Sequence, residues 1–207
     1  MTPGRVVMLS GGSSAGKTTL GRKLQDSLDG SWLLLGADVL IWTMPPRLFK
    51  HPDGVDARDG VITRGGEFLR LFEAFRSSVA HVAHCGVDVL IDEVMQEGAL
   101  DQAMWNGSLG DLDVLWVGVK CSPDIAAARE NARGDRAPGI ARHHALTVHE
   151  GVRYDLEVDT GGQDIADVVT AIAGAIRDRW GVGGTAPTDR EAWPVRSGLS
   201  ESAPWES

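Results

Sequence analysis

The stretch Gly11-Gly12-Ser13-Ser14-Ala15-Gly16-Lys17-Thr18 fits the pattern G-x-x-x-x-G-K-[ST], and it constrains this chain more than any other segment. Glycines and small residues let the backbone curl until successive N–H groups face one anion. A helix starting directly afterwards adds the partial positive charge of its N-terminus. The surroundings agree. Residues 5–9, Arg-Val-Val-Met-Leu, form a short apolar run suited to a buried strand, and residues 18–28 place Leu20, Leu24 and Leu28 at helical spacing. Strand, glycine loop and helix thus follow in the order of a phosphate-binding loop, and the alternative of a flexible Gly/Ser connector loses ground. In such a loop Lys17 reaches the β- and γ-phosphates of a nucleotide and the Thr18 hydroxyl joins a magnesium shell. Gly11, Gly12, Ser13, Ser14, Ala15, Gly16, Lys17, Thr18 and the following Thr19 are therefore the expected nucleotide contacts.

A length of 207 residues, 43% of them hydrophobic, suffices for one domain with a full core. The formal net charge of −9 disfavours a nucleic-acid partner, because binding a polyanion relies on Lys and Arg. The two cysteines, Cys85 and Cys121, lie in apolar stretches without metal-ligand spacing, and the expectation is buried, reduced thiols in a cytoplasmic protein. No apolar run approaches the roughly 20 residues needed to span a bilayer, and the N-terminus lacks a signal-peptide pattern, so no membrane partner is expected.

Beyond the first helix, residues 31–36 read as a second strand that stops at Ala37-Asp38. Residues 44–66 carry Pro45-Pro46, Pro52-Asp53-Gly54, Asp59-Gly60 and Gly65-Gly66, which predicts a surface excursion with a small hairpin turning at Asp59-Gly60. Helical periodicity returns with Phe68, Leu71, Phe72, Phe75, Val79 and Val82, with Arg70, Glu73 and Arg76 assigned to the opposite side. A third strand over 87–93 ends in Asp92 and Glu93, the usual form of a Walker B site. A helix is expected over 96–107, a fourth strand over 113–120 and a helix from Pro123 to Arg133. The run Gly134-Asp135-Arg136-Ala137-Pro138-Gly139 breaks that helix, a fifth, half-exposed edge strand covers 154–158, and an amphipathic helix covers 165–180. The domain is thus expected over residues 1–180, with 181–207, rich in Gly, Ser, Thr and Pro, as a disordered tail. Alternating strands and helices give an α/β domain with a mainly parallel sheet, whose ligand chemistry gathers at the carboxyl ends of the strands.

Phosphoryl transfer needs magnesium, cationic neutralisation of the γ-phosphate and a group to accept the proton of the attacking hydroxyl. Asp92 is the better Walker B carboxylate and Glu93 its stand-in, against the alternative of strand-end acids capping a neighbouring helix. Asp38, rigidly placed beyond a strand, suits a general base. The competing reading makes it the N-cap of a helix beginning at Val39. Arg129 and Arg133 share a helix face and Arg136 follows in the turn, the layout of a lid that grips phosphate oxygens or of an ordinary solvated face. Six histidines, including His143-His144, show no metal-ligand arrangement, and His149 reads as a turn contact before the fifth strand.

These blocks together resemble the chloramphenicol phosphotransferase family. The resemblance rests on the loop from Gly11 to Lys17, on residues 32–38 with the terminal Asp38, and on Leu90-Ile91-Asp92. It continues in Gly110-Asp111-Leu112-Asp113-Val114-Leu115-Trp116-Val117-Gly118-Val119, in Ala132-Arg133-Gly134-Asp135-Arg136, and from His149-Glu150-Gly151-Val152 to Val158-Asp159-Thr160. It implies a P-loop nucleoside triphosphate hydrolase fold of the kinase-like type: a five-stranded parallel sheet of order 2-3-1-4-5 flanked by helices. It also implies ATP with Mg2+, a base at Asp38 and lid contacts from Arg133 and Arg136. The acceptor side resembles the family only loosely, over residues 41–45, 47–63 and 95–97.

The expected function is ATP-dependent O-phosphorylation of a small hydroxylated molecule, first of all chloramphenicol or a related antibiotic. Asp38, Lys17, Arg133 and Arg136 would be the catalytic set, Thr18 and Asp92 the metal set, and Arg129 and Arg133 additional nucleotide contacts. Asp38, Trp42, Met44, Phe68, Phe72 and Glu93 would line the acceptor pocket. The alternatives are a metabolite or nucleoside kinase of the same fold and, from another class, a nucleotide-dependent switch. The oligomeric state, monomer or homo-oligomer, stays open at this level.

Overall fold

A computed structural model of the chain describes residues 2–58, 60–133 and 139–181. In chain order the elements are β1 (Val6–Gly11), α1 (Lys17–Ser27), β2 (Trp32–Gly36), α2 (Ala37–Thr43), a short 3-10 turn (Pro46–Leu48), β3 (Val55–Arg58), β4 (Val61–Arg64) and α3 (Gly66–His84). They continue with β5 (Asp88–Glu93), α4 (Ala99–Leu109), β6 (Val114–Lys120), α5 (Pro123–Arg133), α6 (Ile140–Thr147), β7 (Leu156–Asp159) and α7 (Ile165–Trp180).

Five strands form one parallel sheet in the order β2-β5-β1-β6-β7, while β3 and β4 pair as a separate antiparallel hairpin. The hairpin supplies strands three and four of the full numbering. Counted without it, the sheet order is the expected 2-3-1-4-5. Strand alternation divides the core into two layers. Val6 and Met8 of β1 face one cluster with Phe72, Val79 and Trp105 from α3 and α4. Val7 and Leu9 face the other, with Leu20 and Leu24 of α1 and Ile172 and Ile176 of α7. Both faces of β1 are thus covered, which is why its residues read as a continuous apolar run rather than an alternating one.

Parallel register brings the strand ends level. Leu9 pairs with Asp92, Ser10 with Glu93 and Gly36 with Asp92. At Gly36 a Cβ would come 2.2 Å from the Asp92 carbonyl oxygen, so only glycine lets β2 close on β5 at this point.

Four local expectations need correction. The helix after β2 begins at Ala37, so Asp38 lies within its first turn. The N-cap is Gly36, which has no side chain to cap with. Arg76 is 1% exposed rather than on the solvent side of α3. Its guanidinium lies over the Phe72 ring, 4.9 Å from the centroid, and pairs with Glu73, so the long stem packs as an apolar group. Cys85 is exposed and Cys121 half-buried, both as free thiols, because each lies at the end of an element and not within it. Helix α6 follows the Gly139 break that sequence alone reads only as a terminator. Of the expected tail over 181–207, Gly181 caps the last helix and residues 182–207 lie outside the described residues. No helix among the described residues is long and apolar enough to cross a membrane.

Candidate active site

The loop between β1 and α1 takes its shape from alternating backbone conformations. Ser14 (φ 58) and Gly16 (φ 89) are both left-handed, and such alternation turns neighbouring N–H groups toward one side to form an anion-binding concavity. Three tertiary contacts fix the loop from outside. The Ser13 N–H donates to His144 Nδ1 of α6 at 3.4 Å, Arg129 Nη1 of α5 donates to the Ser14 carbonyl at 3.5 Å, and the Thr160 hydroxyl donates to the Ala15 carbonyl at 2.6 Å.

Lys17 is 6% exposed, and its ammonium folds back to donate to the Gly12 carbonyl at 2.9 Å, with Asp92 Oδ1 at 3.5 Å. The Thr18 hydroxyl donates to Asp92 Oδ2 at 2.5 Å. Two expected metal-side groups therefore meet at one point, Thr18 from the start of α1 and Asp92 from the end of β5. A hydroxyl and a carboxylate are hard oxygen donors. Magnesium is commonly held by one or two such groups together with substrate phosphates, rather than by an all-protein cage. The described residues contain no group of three or more His, Cys, Asp or Glu side chains able to hold a metal alone. The donor set fits Mg2+ brought in with a nucleotide.

One cleft joins these groups. Ser14, Gly16, Lys17 and Thr18 line it from the loop side, Ala37 and Asp38 from the start of α2, Asp92, Glu93 and Val94 from the end of β5, and Arg133 from the end of α5. The expected base, the expected Lys, both strand-end acids and one of the expected lid arginines thus line a common space.

Asp92 and Glu93 divide sharply by environment. Asp92 touches Thr18 and Lys17, whereas Glu93 is 4% exposed and accepts from the Val94 N–H at 2.8 Å. Burial pushes the Glu93 carboxyl up to about 8. The neighbouring charges of Asp92 and Asp101 push the same way, against the Val94 hydrogen bond and Lys17. At neutral pH Glu93 is mostly a neutral acid, whereas Asp92 is the carboxylate that meets Thr18 and Lys17.

Other expected site residues lie elsewhere. Arg129 is spent on structure, donating to the Thr160 carbonyl at 2.7 Å and to the Thr160 hydroxyl at 3.4 Å as well as to Ser14. Its place is behind the phosphate loop, not across the cleft. Met44, Phe68 and Phe72 are 4–6% exposed members of the core layer, so they support the cleft from behind and present no wall to it. Trp42 is 55% exposed on α2, one turn beyond Asp38 on the same face, but does not line the cleft. Thr19 is exposed on α1. Arg136 lies outside the described residues.

Sequence reasoning missed the supports. Thr160 lies within a block that carries the family resemblance, but nothing local shows that its hydroxyl reaches Ala15. The sequence around His144 gives no sign of its loop contact, which spans 131 residues. His149 Nδ1 and the Tyr154 hydroxyl share a hydrogen bond at 2.8 Å, and the Tyr154 oxygen lies 3.1 Å from the Ser10 hydroxyl at the end of β1. The expected turn contact is therefore also a link to the strand that launches the loop.

Known proteins match this architecture. A curated Mycobacterium tuberculosis protein, provisionally named an O-phosphotransferase, is 31% identical over 177 residues, covering 77% of this chain and 76% of the relative. Among solved structures, shikimate kinase from Acinetobacter baumannii superposes with a TM-score of 0.55 at 18% identity, covering 86% of this chain and 96% of that one. The Deinococcus radiodurans tunicamycin resistance protein gives 0.59 at 14% identity, covering 88% and 99%. At these identities the structures speak for the fold, that of the P-loop kinases. The family model described as chloramphenicol phosphotransferase-like protein matches residues 4–180. The chain belongs to the chloramphenicol phosphotransferase-like family, as a P-loop kinase-like O-phosphotransferase acting on small molecules.

Proposed function

We propose that the protein transfers the γ-phosphate of ATP, with Mg2+, to a hydroxyl group of a small molecule, and that chloramphenicol or a related antibiotic is the first acceptor to test. The observation that carries this reading is the sharing of one cleft by Asp38, Lys17, Thr18 and Asp92. A nucleotide switch needs phosphate and magnesium groups but has no use for a carboxylate facing them from a separate helix. In the proposed reaction the Asp38 carboxylate takes the acceptor's hydroxyl proton, the acceptor oxygen forms a bond to the γ-phosphorus, and the bond to the oxygen of the departing ADP breaks. A loose transition state demands proton removal late, so placement of Asp38 counts for more than its basicity. Lys17 and Arg133 offset the charge that spreads over the phosphoryl oxygens, a role extended to Arg136 on sequence grounds, while Thr18 and Asp92 hold the metal supplied with the nucleotide. The two free thiols, Cys85 and Cys121, fit the reducing cytoplasm as the place of action.

A metabolite or nucleoside kinase would use the same machinery with a different acceptor. Incubating the enzyme, ATP and Mg2+ with antibiotics, nucleosides and sugars, and reading one added phosphate by mass spectrometry, separates the two. Asp38→Asn should bind ATP normally and lose roughly 100-fold or more in transfer rate, the span of positioned proton acceptance. Near-normal transfer by that variant would remove Asp38 from the mechanism.

A further inference from the structure

A tip is ordinarily the most exposed part of a hairpin, yet the tip of the hairpin of β3 and β4 is covered. Gly60 is buried, while Ala57, Arg58, Val61 and Thr63 around it are exposed. The backbone at the start of α6 lies against it: a Cβ built on Gly60 would stand 3.1 Å from the Gly139 carbonyl oxygen and 3.2 Å from its carbon. Two bare backbones meet here, and a side chain on Gly60 would push them apart. A turn with Gly60 at φ 79 forms equally well in solvent, so the docking of the tip asks for a reason of its own. The foot of the hairpin is fastened too. Arg64 Nη1 donates to Asp101 Oδ1 and Oδ2 of α4 at 3.1 and 3.2 Å, its Nη2 lies 3.5 Å from Glu97, and the Arg64 and Asp101 side chains are 11% and 4% exposed. Outside the main sheet, the hairpin thus spans from α4 to α6, pinned at both ends.

The reason lies on the far side of Gly139. Its N–H and that of Ala141 donate to the Glu130 carboxylate at 2.7 and 2.8 Å, which joins the start of α6 to the last turns of α5. Arg133 stands three residues beyond Glu130, next to it on the helix surface, and lines the cleft together with Lys17, Asp38 and Asp92. Through Gly139 and Glu130, the position of the hairpin tip bears on the position of Arg133. A guanidinium grips phosphoryl oxygens only in a narrow geometry, so a small shift of its backbone is costly. We propose that Gly60 is a positioning residue for Arg133: the hairpin, braced on α4 by Arg64, holds the junction of α5 and α6 where Arg133 can reach the terminal phosphoryl group of a bound nucleoside triphosphate. The inference rests on the role proposed above for Arg133. It gives the hairpin, which no step of the transfer uses, a part in telling triphosphate from diphosphate.

The test uses the full-length protein. Gly60→Asn brings a residue that accepts a positive φ, so the turn survives, but it sets a side chain against the Gly139 carbonyl. In calorimetric titrations with Mg2+ this variant should bind a non-hydrolysable ATP analogue roughly fivefold or more weaker, part of the cost of a lost hydrogen bond to a charged group, and ADP within about twofold of wild type. Arg133→Ala should show the same selective loss. Adding Gly60→Asn to Arg133→Ala should then cost no more than about twofold further, because both changes remove one contact. A second variant, Arg64→Met with Asp101→Leu, releases the foot without leaving a buried charge unpaired and should repeat the selective loss. Losses that multiply when Gly60→Asn joins Arg133→Ala, equal losses for ADP and the ATP analogue, as a shift of His144 against the phosphate loop would give, or unchanged affinity for the analogue in both hairpin variants would each overturn the positioning role. Analogue affinity unchanged by Arg133→Ala itself would instead overturn the part of the proposed function beneath it.

Discussion

His149 is neutral in the folded protein at any pH above about 4, because burial, aided by the nearby charges of Lys120 and Lys17 and opposed by that of Glu157, holds its imidazole far below the ordinary value. The Tyr154 hydroxyl, itself pushed up to about 12 by burial, remains protonated beside the imidazole, 2.8 Å from Nδ1. The sign of the resulting pH effect follows. Between roughly pH 6.5 and pH 4 the unfolded chain binds a proton at this residue that the folded chain refuses, so stability is present above that window and falls as pH falls through it. His149→Asn keeps a polar side chain able to donate or accept near Tyr154 and removes the titration. We expect wild type to lose melting temperature more steeply than His149→Asn between pH 6.5 and 4, with the two close at pH 7.5. Parallel curves would show that His149 does not titrate as its burial demands. Residues of this kind also mark the limit of reading from sequence. Asp38, Asp92 and Lys17 are legible because position along the chain places each at a strand end or a helix start. Ser14 and Arg129 depend on a partner more than a hundred residues away or on a backbone angle, and His149 reaches the loop strand through Tyr154, whose Ser10 contact spans 144 residues, none of which residue types reveal.

Among the elements, β1, β6 and α7 follow directly from their apolar patterns, and the hairpin of β3 and β4 follows from its turn residues. Helix α6 does not, and the reason is physical. Its N-cap is Gly139, which offers no side chain, and the cap comes instead from Glu130 in the preceding helix. That buried carboxylate accepts from the Gly139 N–H at 2.7 Å and from the Ala141 N–H at 2.8 Å. A nonlocal cap leaves no signature beside the helix it starts. The arrangement matters to the site, since α6 carries His144 to the phosphate loop while α5 carries Arg129 and Arg133. Glu130→Ala strips both bonds from the first turn of α6. We expect a loss of about 2–3 kcal/mol in urea unfolding, near the value of hydrogen bonds to a charged group. Amide exchange should quicken over residues 140–147 while the β1 amides stay protected. Unchanged exchange in α6 would mean that packing of Ile140 and Ala141, and not Glu130, starts the helix.

At the scale of the whole molecule, one sheet edge carries the chemistry. The sequence places Lys17, Asp38 and Asp92 each at the end of a strand or the start of the helix after it, and parallel pairing is what turns three separate positions into one cleft. The acceptor wall escaped the same logic because an aromatic stripe at helical spacing serves a core as readily as a pocket, and here Phe68 and Phe72 went to the core. Every described side chain of the cleft precedes β7, yet the domain cannot end there. Helix α7 buries Val168, Ile172 and Ile176 against α1, and α1 holds Lys17 and Thr18 at its first turn. At about 1.5–3 kcal/mol for each such side chain, its removal forfeits about 5–9 kcal/mol, most of the 5–15 kcal/mol that stabilises a typical domain. The helix closes with Gly181 at φ 64 donating to the Arg177 carbonyl at 2.7 Å, and Arg179 ties it to Asp113 and Asp155 under the sheet. A chain ending at Gly181 should therefore unfold cooperatively within a few degrees of the full-length protein and bind nucleotide with unchanged affinity. A chain ending at Gly162 should show no cooperative melt. A large drop in melting temperature or nucleotide affinity for the 181-residue chain would place residues 182–207 among the determinants of the fold or the site.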